Sequence, residues 1–250
     1  MSFGGLRTAV ITGAGSGIGR ATAREFLARG WQVVLAGRRE EALTETADGD
    51  ARALVVAADV TQPGDVERLF REAVDRFGRV DVLFNNAGSF GPSGSVDQIS
   101  LDDWNDTIAV NLTGTMLCAA AAFRQMKDQD PQGGRIINNG SLSAIAPRPL
   151  AAAYTATKHA VTGLTKSIDL DARAWGISCA QIDIGNAATG LLAGITSGGA
   201  LQPDGNRKVE PTFPAEEAAR TVVFMAELPA SANAGSVILT AAGMPYLGRG

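Results

Sequence analysis

The sequence has few of the residues that build metal or redox sites. Its 250 residues contain two cysteines, Cys118 and Cys179, each inside an apolar run, and one histidine, His159. Neither cysteine has a second cysteine or a histidine at metal-ligand spacing. We therefore expect two buried thiols, a histidine that is a structural helix residue, and no metal site.

An excess of positive charge and long hydrophobic runs are also lacking. The net charge is −4, which argues against a nucleic-acid or membrane partner, and no run approaches the roughly eighteen apolar residues of a membrane span. The N-terminal stretch MSFGGLRTAVIT does not combine a charged head with a long apolar core. We expect a cytoplasmic protein that acts on a small molecule, with a single domain over residues 1–250.

Short β-branched runs alternate with amphipathic segments of helical length. This alternation predicts the α/β class, a doubly wound parallel sheet of seven strands with helices on both faces. Strands are predicted at 8–12, 32–37, 53–59, 80–86, 134–140, 177–184 and 236–241, and helices at 17–29, 39–48, 63–78, 101–128, 152–175 and 214–227. Residues 186–213 have weak periodicity and are predicted to form a substrate loop or lid.

A glycine-rich turn follows the first predicted strand. The segment TGAGSGIGR places Gly13, Gly17 and Gly19 where a strand passes into a helix, so that the backbone can approach a pyrophosphate. The spacing differs from the common Gly-x-Gly-x-x-Gly pattern, and a flexible glycine loop is the alternative. Arg38 and Arg39 follow the second strand, where their guanidinium groups favour NADP(H); surface arginines neutralised by the adjoining glutamates are the alternative.

A tyrosine and a lysine lie one helical turn apart after the fifth predicted strand. Tyr154 and Lys158 share a helix face, and the ammonium is expected to stabilise the phenolate and lower the pKa of Tyr154. Ser141, at the end of that strand, is placed to hydrogen-bond the same substrate oxygen. Tyr-x-x-x-Lys is common by chance, so this prediction depends on its position and on the glycine turn.

The predicted helix at 101–128 contains Asn111, Thr113 and Gly114, which all disfavour a helix interior. A local conflict of this kind often marks a functional site. A kink that relieves helix packing is the alternative.

Taken in order, the segments TGAGSGIG, AADV, NNAG, VNLTG, GRIINNGS and YTATK resemble the short-chain dehydrogenase/reductase family over nearly the whole chain. The resemblance implies a single-domain Rossmann fold and an oxidoreductase that transfers a hydride between NADP(H) and a ketone or aldehyde and its alcohol. NAD(H) is the alternative cofactor, and a non-catalytic dinucleotide-binding regulator is the alternative function.

The resemblance also implies a catalytic tetrad of Asn111, Ser141, Tyr154 and Lys158. Tyr154 would be the general acid in reduction and the general base in oxidation, with Ser141 orienting the oxygen. Lys158 would lower the tyrosine pKa and bind the nicotinamide ribose, and Asn111 would hold a water in a proton relay. Members commonly form tetramers through helices 101–128 and 152–175, so a homo-oligomer, a tetramer or a dimer, is expected.

The cofactor contacts follow by the same carry-over. Asp59 and Val60 are implied at the adenine, Ile18 at the pyrophosphate, and Thr189 at the nicotinamide carboxamide or the phosphates. The complete expected set is Gly13, Ser16, Gly17, Ile18, Gly19, Arg38, Arg39, Asp59, Val60, Asn86, Ala87, Gly88, Tyr154, Lys158, Ile184 and Thr189.

Three departures from the family pattern affect the expected site. Ser16 stands where NADP-preferring relatives often carry a basic residue, so Arg38 would have to carry the preference largely alone. Ala180 and Ile184 replace the asparagine and proline of the usual Asn-x-x-x-Pro-Gly, and the chain ends GMPYLGRG where Asp-Gly-Gly is familiar.

The substrate pocket is expected between residues 88–96, 143–152 and 186–213. Ser143 and Arg148 are the candidate substrate contacts; Arg148 would hold an anionic group, and a solvent-exposed loop arginine is the alternative. Asp183 shares its strand face with Cys179 and Gln181. Because the tetrad already supplies an acid-base group, we interpret Asp183 as a strut for the 186–213 loop or a determinant of substrate polarity.

Overall fold

The computed structural model describes residues 6–190 and 198–245, and its centre is a parallel sheet. Its strands are β1 (Thr8–Thr12), β2 (Gln32–Gly37), β3 (Ala53–Ala57), β4 (Val82–Asn85), β5 (Gly134–Asn139), β6 (Ile177–Gly185) and β7 (Ser236–Thr240). The order across the sheet is β7-β6-β5-β4-β1-β2-β3, and each neighbouring pair is parallel. The order reverses between β1 and β4, which creates a crevice at the carboxyl ends of these strands.

Helices cover both faces of the sheet, which confirms the predicted α/β class. They are α1 (Gly17–Ala28), α2 (Glu40–Ala47), α3 (Pro63–Phe77), α4 (Leu101–Ile108), α5 (Gly114–Asp128), α6 (Ala152–Ala172) and α7 (Ala215–Glu227). One apolar core, which includes Phe26, Leu43 and Val222, joins α1, α2 and α7 to the sheet. The other, which includes Leu69 and Cys118, joins α3, α5 and α6 to the opposite face.

The ends of the helices follow local sequence signals. α3 begins at Pro63, where the missing amide hydrogen costs no hydrogen bond, and ends before Gly78, whose φ of 82° suits the left-handed C-terminal position. The Ser100 side chain accepts a hydrogen bond from the Asp103 amide and caps α4. These signals place the two helix starts close to their predicted positions.

A π-helical turn, Ala109–Thr113, separates α4 from α5 inside the predicted 101–128 helix. The residues that disfavour a helix, Asn111, Thr113 and Gly114, lie in this turn or directly after it. Gly114 is required for packing, because a Cβ there would come within 2.7 Å of the Val60 Cγ2 atom. The sequence conflict therefore marks a real change of helix geometry, of a kind that is frequent at functional sites.

The segment Leu101–Asp128 is also the single stretch, among the described residues, that is long and apolar enough to cross a membrane by length and composition. In its most apolar window 44% of the residues are buried inside the protein. The segment packs against α3 and the sheet.

The 186–213 region is more regular than predicted in its described parts. Ala187–Ala188 pairs in parallel with Phe213–Pro214, and Ala200–Leu201 pairs with Arg207–Lys208 as an antiparallel hairpin. Two-residue strands are too short to show a sequence period, and Gly205, with a φ of 85°, permits the tight turn. Residues 191–197 of this predicted lid lie outside the described residues.

Candidate functional site

A cavity of about 780 Å³ opens at the carboxyl ends of the parallel strands. Its volume falls within the usual range of small-molecule sites. Most of the predicted site residues line it: Gly13, Ser16, Gly17, Ile18, Arg39, Asn86, Ala87, Gly88, Ser141, Ser143, Arg148, Tyr154, Lys158, Ile184 and Thr189. The structure does not bring Gly19, Arg38, Asp59, Val60 or Asn111 into this lining.

The glycine turn after β1 is held in one conformation rather than being a flexible loop. Gly13 and Gly17 have φ values of 66° and 51°, which side chains rarely adopt. A Cβ on Gly19 would overlap the Gly13 carbonyl oxygen, and the Asn86 amide lies against the same turn while donating to the Thr12 carbonyl at 2.9 Å. Gly19 therefore acts by allowing the turn to pack, which explains why it does not line the cavity.

The N-terminus of α1 faces the cavity through Ser16, Gly17 and Ile18. Ser16 makes no side-chain cap, and the first turn of α1 carries no acidic residue. The positive end of the helix is thus left without an internal anion. Thr189 lies directly beside this helix end: a Cβ on Gly17 would be only 3.2 Å from the Thr189 methyl group. These features fit the pyrophosphate of a dinucleotide.

The two arginines after β2 differ in position. Arg39 lines the cavity, whereas Arg38 is exposed and does not. Within residues 6–190 and 198–245 neither one forms an ion pair, so Glu40 and Glu41 do not neutralise them as the alternative interpretation required. Arg39 is thus the arginine that reaches the cavity wall, and a contact of Arg38 with a 2′-phosphate stays a prediction.

Asp59 and Val60 lie beyond the end of β3. The Asp59 carboxylate accepts hydrogen bonds from the Thr61 amide at 2.9 Å and the Thr61 hydroxyl at 2.8 Å. Val60 is buried against Gly114. Both residues support the turn that leads into α3, and their contact with an adenine ring stays a prediction.

Tyr154 and Lys158 face the cavity from the same side of α6. The Phe90 ring packs edge-on against the Tyr154 ring with centroids 5.0 Å apart, and the Lys158 Nζ atom lies 5.5 Å from the Tyr154 centroid. The Lys158 ammonium donates to the Asn139 carbonyl oxygen at 2.7 Å, which fixes it at the end of β5. The expected helical pair is therefore present, and the aromatic ring of Phe90 joins it as a third member that the sequence did not indicate.

Burial shifts both groups away from their charged forms. It raises the pKa of Tyr154 to about 12, although a hydrogen bond with Ser141 acts in the opposite direction. It also lowers the pKa of Lys158 to about 8, and the charge of Asp183 opposes this effect. The direction for Tyr154 is opposite to the expectation, because removal of its side chain from water outweighs the hydrogen bond with Ser141 and the charge of Arg148.

Ser141 leaves β5 in an extended conformation and enters a short 3₁₀ turn, Leu142–Ala144. Its hydroxyl oxygen accepts a hydrogen bond from the Ser143 amide at 3.1 Å. Ser143, an expected substrate contact, thus lies in the cavity wall and also orients Ser141. Ser141, Tyr154 and Lys158 are brought together as predicted.

Asn111 is buried in the π-helical turn, away from the cavity lining. Its side chain accepts from the Ser89 amide and donates to the Ser89 carbonyl, both at 2.8 Å, and it also donates to the Thr157 hydroxyl at 3.3 Å. The amide group therefore clamps the chain after the NNAG segment to α6. A water held by Asn111 stays a prediction.

Among the described residues, Asp183 is bonded to Ser141 and Gln181 and not to the 186–213 loop. Its Oδ1 atom accepts hydrogen bonds from the Ser141 amide at 2.7 Å and from the Gln181 side chain at 2.8 Å. The strut interpretation is wrong because this face of β6 is turned toward α6, where Gln181 also bonds Thr162. The carboxyl group is 2% exposed, and burial raises its pKa despite these two donors and the Lys158 charge.

Ile184 replaces the family proline without leaving the backbone loose. Strand β6 continues through Gly185, and Ile184 pairs with Leu239 of β7. A proline could not donate to such a ladder. Pairing with β7 fixes the backbone at this side of the cavity.

Arg148 is neither solvent-exposed nor free to bind an anion. Its guanidinium contacts both carboxylate oxygens of Glu210, at 2.7 and 3.2 Å, and the Asn186 side-chain oxygen at 3.0 Å. The Glu210 side chain is completely buried. Its burial raises the pKa, but hydrogen bonds from Arg148, Asn186 and Gln202 outweigh this and lower it to about 2.

Sequence reasoning missed Phe90, Asn186 and Glu210. Arg148 and Glu210 are separated by 62 positions, so no local spacing could pair them. Asn186 had a weak signal: asparagine directly after a glycine tolerates the left-handed region, where its φ is 61°. Phe90 follows NNAG closely, but nothing in the sequence indicates that it contacts the tyrosine.

Comparisons with known proteins agree with this geometry. A family model described as short chain dehydrogenase matches residues 7–199. The chain is 38% identical over 195 residues to a 3beta-hydroxysteroid dehydrogenase of Mediterraneibacter gnavus, covering 73% of this chain and 69% of that protein. It is 31% identical over 234 residues to an uncharacterized oxidoreductase of Staphylococcus epidermidis, covering 93% and 96%.

A solved structure matches over almost the same length. The crystal structure of a 3-ketoacyl-(acyl-carrier-protein) reductase from Brucella melitensis, complexed with NADH, superposes with a TM-score of 0.82 at 29% identity. The match covers 94% of this chain and 96% of that one. Fold, cavity and relatives agree that the chain is an oxidoreductase and belongs to the short-chain dehydrogenase/reductase family.

Proposed function

We propose that the protein transfers a hydride between NADP(H) and a ketone or aldehyde and its alcohol, with Tyr154 as general acid and base. The observation that carries the proposal is a single cavity that is lined by the glycine turn, by Ser141 and by the Tyr154–Lys158 pair. A bound cofactor and a reacting oxygen could therefore meet at one place. The names of two relatives, a hydroxysteroid dehydrogenase and a ketoacyl reductase, describe the same interconversion.

The dinucleotide, when bound, supplies or accepts the hydride. In reduction, the Tyr154 hydroxyl donates its proton to the carbonyl oxygen, and the Ser141 hydroxyl bonds that oxygen and positions it. A pKa of about 12 keeps Tyr154 protonated at neutral pH, which favours its action as an acid. Oxidation requires the phenolate, so its rate should increase as the pH is raised.

NADP(H) is the proposed cofactor because Arg39 lines the cavity next to the glycine turn and carries no internal counter-ion within the described ranges. A guanidinium in this position suits the charge and shape of a 2′-phosphate. NAD(H) is the competing candidate, since the related reductase structure holds NADH.

The function is tested by following the oxidation of NADPH in the presence of a broad panel of ketones and aldehydes. Tyr154→Phe should lower kcat by about 10²- to 10⁴-fold, the usual contribution of an acid-base group, while NADPH binding is retained. Phenylalanine keeps the ring contact with Phe90, so the fold should persist. Unchanged turnover by this variant would refute the mechanism, and NADPH binding without turnover on any carbonyl would favour the regulator.

The cofactor choice is tested by comparing kcat/KM for NADPH and NADH. Arg39→Ala should lower the value for NADPH by about 10- to 100-fold, as expected for one lost hydrogen bond to a charged group, and should leave NADH nearly unaffected. Arg71→Ala, an exposed arginine on α3, is the matched control. Equal losses with both cofactors would favour the NAD-linked alternative.

We also propose a homo-oligomer that forms through α4, α5 and α6. These helices carry large apolar side chains on the surface: Leu101 is 72%, Met116 40% and Leu170 62% exposed. Burial of such groups between subunits is favourable. Light scattering on purified protein should give the mass of a dimer or tetramer, and a monomer at micromolar concentration would refute this part.

A further inference from the structure

The carboxylate of Asp183 is attached to the chain that carries the catalytic serine. Where that chain leaves β5, the Gly140 amide donates to the Ile182 carbonyl at 2.8 Å, and the next amide, that of Ser141, donates to Asp183 Oδ1 at 2.7 Å. Two successive amide groups are thus held by two successive residues of β6. The position of Ser141 is set by the strand that contains Asp183.

The contact is too close for any other residue than glycine at position 140. A Cβ on Gly140 would overlap Asp183 Oδ1 and would lie 2.7 Å from the Gln181 side-chain nitrogen. The Gln181 nitrogen itself donates to Asp183 and to the Thr162 hydroxyl of α6. The carboxylate is therefore held by the chain that follows β5 and by Gln181 of β6, which is itself bonded to Thr162 of α6.

Asp183 also brings a negative charge to the reacting groups. It acts electrostatically on both Tyr154 and Lys158, in each case favouring the protonated form. The elements packed around it contribute no second carboxylate to this pair among the described residues: β5 offers asparagines, β7 places Ile238 beside Asp183, and α6 offers threonines. Arg148 acts on Tyr154 with the opposite sign, but its charge is matched by Glu210.

We propose that Asp183 is a positioning residue for hydride transfer, which fixes Ser141 through its amide and supplies an ionised, buried counter-charge to Lys158. It contacts neither substrate nor cofactor in this role. The proposal rests on the proposed function for its catalytic meaning, but the charge itself can be tested without turnover.

The chain contains only two tyrosines, Tyr154 and Tyr246. In a Tyr246→Phe background the ultraviolet absorbance of tyrosinate therefore reports Tyr154 alone, with no substrate or cofactor. Rapid mixing into alkaline buffers reads the signal before unfolding. Asp183→Asn retains an oxygen for the Ser141 and Gln181 donors and removes the charge.

We expect Asp183→Asn to lower the titration midpoint of Tyr154 by roughly 0.5 to 1 pH unit. The reason is that the negative charge of Asp183 favours the protonated forms of both Tyr154 and Lys158, and the variant lacks this charge. The apparent pKa of Tyr154 in the pH profile of kcat/KM should move in the same direction. Asp169→Asn is the matched control: this aspartate accepts from the Cys179 amide, at the other end of β6, and its loss should leave the midpoint unchanged. Asp183→Ser, with a smaller neutral side chain, should reproduce the shift if asparagine packs poorly.

An unchanged midpoint in both Asp183 variants would overturn the counter-charge, and a lowered kcat with an unmoved pH profile would reduce Asp183 to a structural role. A midpoint that moves as expected in a protein that reduces no carbonyl would overturn the proposed function instead. The two failures are therefore distinguishable.

Discussion

Lys158→Met tests whether the ammonium of the Tyr154–Lys158 pair is held out of water. In the folded protein burial lowers the pKa of Lys158 from 10.5 to about 8, whereas the unfolded chain keeps the ordinary value. The unfolded state therefore binds more protons between these two values, so this residue makes the free energy of unfolding rise with pH. Its contribution is complete above the unfolded pKa and is lost as the pH falls through about 8.

The magnitude follows from the size of the shift. The full contribution of this pKa shift to the free energy of unfolding is about 3 kcal/mol. About 2 kcal/mol of this contribution should be gained between about pH 7 and about pH 9.5. The methionine variant lacks the titrating group, so the difference in unfolding free energy between wild type and variant should increase by about 2 kcal/mol over that interval. Loss of the hydrogen bond to the Asn139 carbonyl changes the free energy of unfolding by the same amount at every pH, so it does not affect the pH dependence.

Urea unfolding at several pH values, followed by circular dichroism, measures this difference. Lys166→Met provides the control, because Lys166 lies on the same helix with its side chain exposed. Its stability curve should run parallel to that of the wild type. Parallel curves for Lys158→Met as well would refute the argument, since they would mean that the ammonium is solvated in the folded protein.

Two further substitutions test other contacts of the site. Gly140→Ala should impair folding or abolish turnover, because its Cβ would overlap the Asp183 carboxylate, whereas Gly64→Ala on α3 has open space and should be neutral in urea unfolding and activity. Arg148→Met should destabilise by about 3–5 kcal/mol, the usual result of removing one partner from a buried ion pair. Adding Glu210→Gln should recover most of that loss in thermal unfolding; no recovery would contradict the ion-pair explanation.

The sheet and its helices were predictable because their signals are local. β-branched runs give the strands, and Pro63 and Gly78 punctuate α3 where expected. The short pairings at Ala187–Ala188 and Ala200–Leu201 were not predictable, since a two-residue strand is too short to show an alternating pattern, and the partner of Ala187–Ala188 lies at Phe213–Pro214. A lid function of residues 186–213 stays a prediction.

In the candidate site, contacts between residues close in sequence were predictable, whereas contacts between distant residues were not. Tyr154 and Lys158 are four residues apart, so the helix period alone joins them. The partner of Arg148 lies 62 positions away, which makes an internal ion pair indistinguishable in sequence from an anion site. The expected lowering of the Tyr154 pKa does not occur because burial, which no motif reports, raises this pKa.

The pairing of Ile184 with β7 has a consequence for the order in which the protein becomes complete during synthesis. The glycine turn and the Tyr154–Lys158 pair emerge in the first two thirds of the chain, but the wall beside Gly185 is held by Thr240 and approached by the Met244 sulfur. A growing chain therefore contains Tyr154 and Lys158 before it contains the strand that completes the wall of the cavity. Synthesis of β7, rather than of the motifs, is the step that completes the wall of the cavity.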